Sequence, residues 1–291
     1  MTNKLDQSQS EQSSPGALIC NRIETTCPEL LAYVREHYEG IARDARYQHF
    51  VRIAPRIIRC LDYFGIKFDR RLVCERLSAY YLFIAVVDEA LDFGNLNIGN
   101  RILQHFNSSS GRFDERGHAS TVELVTEILR SHTSDENLRL ISMGLAELYR
   151  EVLSEQAATS IKTYIEHRKT IGARTADVSY LLIQDLLGGD TGSLRQLMKQ
   201  VGKVGCLIDS MIDLNIDWRF GLLSFKPSTM DRIKLTACAL REGARTLLQY
   251  PSLTGLFLAA IADDIRDPFR NGRNTSALIT AETKDEVAGA I

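Results

Sequence analysis

Along most of the chain, apolar residues recur three and four positions apart, the spacing that lines one face of a helix, so the pattern favours helices over sheets. A first helix is predicted from Pro28, with Leu30, Leu31, Tyr33 and Val34 on its apolar side, and a second over residues 45–64, open to a bend at Pro55 and closed by Gly65. Residues 70–93 read as a long helix that is apolar on nearly all sides from Tyr80 to Val87, as expected in the middle of a bundle. The clearest loop signals fall in residues 94–118, around Asn107-Ser108-Ser109-Ser110-Gly111, and suit a mobile flap that holds a short helix over 98–106. Further helices are predicted over 121–131, 135–157, 161–187, 192–216, 228–248 and 252–265. The expected fold class is all-α. Residues 1–16 read as a disordered polar segment, 17–270 as a single domain, and 271–291 as a polar tail that is frayed or ordered by ligand.

Composition narrows the function classes. At 291 residues and 44% apolar content the chain can bury a core of its own. A net charge of −2 and an isoelectric point near 6.3 give no basic field for nucleic acid. Cys20, Cys27, Cys60, Cys74, Cys206 and Cys238 lack the close pairing of a zinc site and the density of a disulfide scaffold, which points to reduced thiols. The N-terminus has neither a signal-peptide core nor transit-peptide amphipathicity, and the longest apolar run, Leu77 to Val87, is too short to span a bilayer. A cytoplasmic protein is expected, without a transmembrane segment; peripheral membrane contact and pairing into a homodimer stay open.

Two strings of aspartates carry the candidate chemistry. Asp88 and Asp92 stand one turn apart on one face of their helix, and Asp209, Asp213 and Asp217 extend the same spacing over two turns. Ile208, Met211, Ile212, Leu214 and Ile216 fill the other directions of the second string. In a chain this acidic, such a triple arises by chance about 0.6 times, so spacing alone decides little. The setting decides more. Aspartate is a poor helix former, like charges one turn apart repel, and no Lys or Arg lies three or four positions from Asp88, Asp92, Asp209 or Asp213. Magnesium, which takes oxygen ligands from one or two carboxylates together with phosphate oxygens, is favoured over a solvated acidic face.

These strings resemble the class I isoprenoid (terpene) synthase superfamily, in which an aspartate-rich helix faces a second metal-binding helix across an all-α bundle. Asp88-Glu89-Ala90-Leu91-Asp92 is similar to the first motif, and Asp209, Asp213 and Asp217 match the three ligand positions of the second. The run from Tyr164 through Arg168 to Gly172 resembles that of terpene cyclases. It matches Arg168 to the arginine that senses diphosphate, and Gly172 to a helix break whose carbonyl faces the substrate cation. The run from Asp217 to Pro227 is similar to squalene and phytoene synthases, with Gly221 four residues after the last aspartate; Gly221-Leu222 stands where that branch has Gly-Arg.

The resemblance implies a bundle around a central cavity and three magnesium ions held with a diphosphate by Asp88, Asp92, Asp209, Asp213 and Asp217. Asp88, Asp92, Arg168 and Gly172 are the implied catalytic residues, and Arg168, Arg219 and Lys226 the implied phosphate donors. A carbocation needs a dry, aromatic cavity, for which Tyr81, Phe83 and Tyr180, with Tyr80, are the candidate lining. The expected function is that of a magnesium-dependent terpene synthase, which ionises a linear polyprenyl diphosphate and cyclises or rearranges the cation. The alternatives are an enzyme that condenses two prenyl diphosphates, as squalene and phytoene synthases do, and a non-catalytic helical binding protein.

Overall fold

The computed structural model describes residues 53–92, 97–107, 134–188, 191–219 and 221–255, together with positions 123, 126, 130 and 258. The helix expected near Pro28, the segment 1–16, most of the proposed flap and the tail 271–291 lie outside them. Seven α-helices have defined bounds among the described residues: α1 (Ile53–Tyr63), α2 (Arg70–Asp92), α3 (Ile98–Asn107), α4 (Asp135–Gln156), α5 (Ile161–Ile183), α6 (Gly192–Arg219) and α7 (Thr229–Gln249). Short 3-10 turns follow α5 and α7 at Gln184–Leu186 and Pro251–Leu253. The only β pairing among the described residues is an isolated bridge between Phe68 and Leu187. The all-α expectation therefore holds.

Local chemistry sets the helix starts. Asp69 accepts the Leu72 amide at 3.0 Å ahead of α2. Ser134 and Ser160 accept amides at the starts of α4 and α5. Ser228 and Asp231 form a reciprocal capping box on α7. At its far end α5 tightens into a 3-10 turn, so the predicted helix over 161–187 stops four residues early. By contrast α6 runs on to Arg219, which places Asp217 inside the helix instead of just beyond it.

Packing centres on α5, which contacts α4, α6, α2 and α7. Its C-terminal half, with Val178, Leu181 and Leu182, joins a core built with α1 to α4, in which α2 is buried continuously from Val73 to Phe83. The N-terminal half sends Ile161, Tyr164 and Ile165 into a second cluster with Leu207 and Leu214 of α6 and Leu235 and Ala239 of α7. Arg76, 2% exposed, ties α2 to the end of α5 by donating to the Leu182 carbonyl at 2.8 Å and to Asp185 at 2.6 Å.

The closest helix contact joins α5 and α6. A Cβ on Gly172 would collide with the Gly202 carbonyl oxygen and sit 2.7 Å from the Cys206 Cβ, while one on Gly202 would collide with the Gly172 carbonyl and reach within 2.8 Å of the Ala176 Cβ. The backbones pass with no room for a side chain. Gly202→Ala is expected to destabilise the protein by about 1–3 kcal/mol through overpacking. Gly205→Ala, in open space three residues further along α6, is expected to be neutral or stabilising by up to about 1 kcal/mol. Urea unfolding of the two variants checks both.

Candidate functional site

Arg168 lies one turn before Gly172 on α5, on the side that meets α6. Its Nε donates to Ser210 Oγ at 2.6 Å, one terminal nitrogen lies 3.4 Å from Asp209 Oδ2, and the other lies 3.9 Å from Glu155 Oε2 on α4. Ser210 passes its own hydrogen to the Cys206 carbonyl at 2.8 Å. The guanidinium carbon stands 6.0 Å from the centre of the Tyr164 ring, the outer limit for a cation–π contact. Tyr164 is fully buried, packs edge-on to Phe225 and has no hydrogen-bond partner of good geometry for its hydroxyl among the described residues. Three helices thus gather Arg168 and several carboxylates around an apolar wall.

Charge state follows from that crowding. Burial alone would weaken the hold of Arg168 on its proton, but the Glu155 and Asp209 carboxylates beside it, and Cys206 and Tyr164 at a pH where they ionise, push it the other way and it stays charged. Asp217 is pushed up to about 7 by burial and by the negative charge of Asp213, Glu155 and Asp209, against the opposing pull of Arg168. Burial also pushes the Cys206 thiol up to about 11, so it stays protonated and inert at neutral pH.

Of the sequence-predicted residues, the structure brings together Arg168, Asp209, Asp213 and Asp217. Asp88 is half-buried on α2; Asp92 closes that helix, and its side chain is outside the described residues. Both α2 and α6 pack on α5, but they share no extensive contact with each other. Arg219 is exposed at the end of α6, and Lys226 lies with its Nζ 5.1 Å above the Trp218 ring. Tyr81, Phe83 and Tyr180 belong to the packed core, where Tyr81 bonds Ser179 at 2.9 Å and Tyr180 bonds Thr191 at 2.6 Å. Tyr80 donates to the Thr175 carbonyl at 3.4 Å in the same core.

Three expectations need correction. Gly172 does not break a helix: α5 continues unbroken through it, and glycine is required there because the Gly202 backbone occupies the space of a side chain. Nor is Asp209 without a basic partner, because Arg168 supplies one from the neighbouring helix, where no reading of its own helix could find it. Gly221, four residues after Asp217, has a folding role. Its φ of 75° is left-handed, it donates to the Trp218 carbonyl at 3.1 Å, and Leu222 donates to Asp217 at 2.9 Å, which together make a Schellman cap on α6. Sequence reasoning missed two contributors, Glu155 and Ser210. Ser210 sits inside the aspartate run, where its small polar side chain was a usable signal; Glu155 enters only through the packing of α4 on α5.

Among the described residues, no three His, Cys, Asp or Glu side chains converge closely enough to hold a metal ion by themselves. Among the same residues, no helix is long and apolar enough to cross a membrane. Comparison with protein-family models, with curated proteins and with solved structures finds no match.

The raised Asp217 carboxyl makes a pH-dependent liability. Between its ordinary 3.8 and about 7, the folded state holds the proton that the unfolded state releases, so this group lowers stability as pH rises through that window. Without divalent metal, Asp217→Asn is expected to be more stable than wild type at pH 8 by roughly 2–4 kcal/mol. That advantage should shrink as pH falls toward 4, and urea denaturation at the two ends of the range measures it.

Proposed function

We propose that the protein is a magnesium-dependent enzyme of the class I terpene synthase type, which ionises a linear polyprenyl diphosphate and rearranges or cyclises the resulting cation. The observation that carries this reading is Arg168, held charged and mostly buried against Asp209 and Ser210 at the head of the Asp209–Asp213–Asp217 stripe. A buried cation beside a row of carboxylates suits a ligand that is itself a polyanion escorted by metal. The separation of α2 from α6, both seated on α5, is consistent with a substrate between Asp88 and Asp92 on one side and the second string on the other.

The donors fit magnesium in kind, since it favours oxygen ligands. Aspartates four residues apart, about 6 Å along the helix axis, do not close around a single ion without phosphate oxygens and water. Asp209, Asp213 and Asp217, with Asp88 and Asp92, would hold magnesium, which supplies positive charge to the diphosphate as it leaves. Arg168 would donate hydrogen bonds to the departing phosphate oxygens, and Ser210 and Glu155 hold its guanidinium in place for that. Apolar side chains around Tyr164 keep water from that end of the site.

Incubation with geranyl, farnesyl, geranylgeranyl and geranylfarnesyl diphosphates plus magnesium is expected to release inorganic diphosphate from at least one of them. Release from none would overturn the reading in favour of a non-catalytic helical protein, and a product with twice the substrate's carbons would favour the condensing reaction. Arg168→Ala and Asp213→Ala are each expected to slow release by about 10²–10³-fold with helix content unchanged by circular dichroism. Wild-type rates in either variant would remove the site assignment.

A further inference from the structure

On the other side of α5 from Arg168, a cleft of about 510 Å³ opens between α5, α6 and α7. It shares no residue with the site above, and Ala173 is its one apolar lining residue. Five cations line it, Lys169, Arg174, Lys199, Lys203 and Arg245, against three carboxylates.

Those carboxylates are already committed. Glu166 holds Lys169 at 3.0 Å. Asp177 accepts both Arg195 Nε at 2.6 Å and a terminal Arg195 nitrogen at 2.9 Å, with Lys199 only 3.9 Å away. Glu242 accepts from Gln200 at 3.3 Å and sits 3.8 Å from Lys169 and 3.9 Å from Arg241. Arg174 pairs outward with Glu147 of α4, and its Nε is buried with no acceptor among the described residues. Lys203 and Arg245 have no anionic partner at all among the described residues.

Two of the five cations gathered in this concave site, Lys203 and Arg245, are thus left without counter-anions among the described residues. Lys169, Arg174, Lys199 and Lys203 are half-buried and Arg245 is exposed at the rim, so like charges on the cleft wall add to one field across it. An apolar ligand would have to strip water from the charged heads that line the cleft, and the excess of cations over carboxylates repels a cation. We propose that this cleft is a second ligand site, separate from Arg168, that binds a small phosphorylated anion between Lys203 and Arg245, with Lys199 and the free edge of Arg174 completing the cradle. Lysine and arginine together match the point charge and the bidentate edge that phosphate groups accept. The volume suits a ligand of a few phosphate groups or a phosphorylated small molecule, not an extended polymer.

Isothermal titration of the whole chain with inorganic diphosphate and with inorganic phosphate, at low ionic strength and without divalent metal, tests this. Wild-type protein and the Arg168→Ala variant are expected to bind diphosphate alike. The double variant Lys203→Ala/Arg245→Ala, with its helix content checked by circular dichroism, is expected to bind at least about tenfold more weakly. Affinity should also fall steeply with added salt. Absence of binding at millimolar ligand overturns the proposal. So does equal binding by the double variant, or binding lost in Arg168→Ala and kept in the double variant.

Discussion

Where α5 crosses α6, the backbones of Gly172 and Gly202 touch with nothing between them, and the placement of every charged group nearby depends on that approach. Ordinary helix pairs are kept apart by the side chains at their contact. Here the small side chains of Ala176 and Cys206 flank the crossing, so the two helices draw close, and a side chain one turn away reaches the partner helix. Arg168 is that side chain. A methyl group at the crossing would push the helices apart and lengthen contacts to Ser210 and Asp209 that are already near the limit for the latter.

Electrostatics around Arg168 is unevenly shared. Asp209 has the guanidinium beside it, Asp213 and Asp217 stand successively further along α6, and Glu155 adds a further negative charge from α4. Their effect shows at Asp217, whose carboxyl burial and the neighbouring Asp213, Glu155 and Asp209 push up to about 7. Polar residues that carry no charge do the positioning: Ser210 accepts from Arg168 and hands its own hydrogen back to its helix, so it fixes the guanidinium without adding to the imbalance.

Much of the fold was legible in the sequence because it rests on local signals. The bounds of α2, α4 and α7 follow from Asp69, Ser134 and Ser228 as caps and from the apolar runs behind them, and Gly65 ends α1 as its position suggests. The core helix was legible from Tyr80 to Val87 because a helix buried on all sides needs apolar residues in every direction. What could not be read was anything set by the partner helix. The requirement for glycine at position 172 comes from Gly202, thirty residues away, and the counter-charge of Asp209 comes from Arg168 on another element. The partners of the Tyr81 and Tyr180 hydroxyls, Ser179 and Thr191, likewise become visible only once the helices are packed.

The four-residue interval from Arg168 to Gly172 also fixes a phase. With 3.6 residues per turn, a single residue inserted between them would rotate the guanidinium by about 100° around the axis of α5 while leaving the glycine crossing where it is. The glycine crossing would survive, but Ile161, Tyr164 and Ile165 would turn out of their cluster and the cation would leave the carboxylates. Length in this stretch is therefore under a tighter constraint than composition: a different long cation at position 168 keeps its bearing on α6, whereas a perfectly conserved set of side chains out of step by one does not.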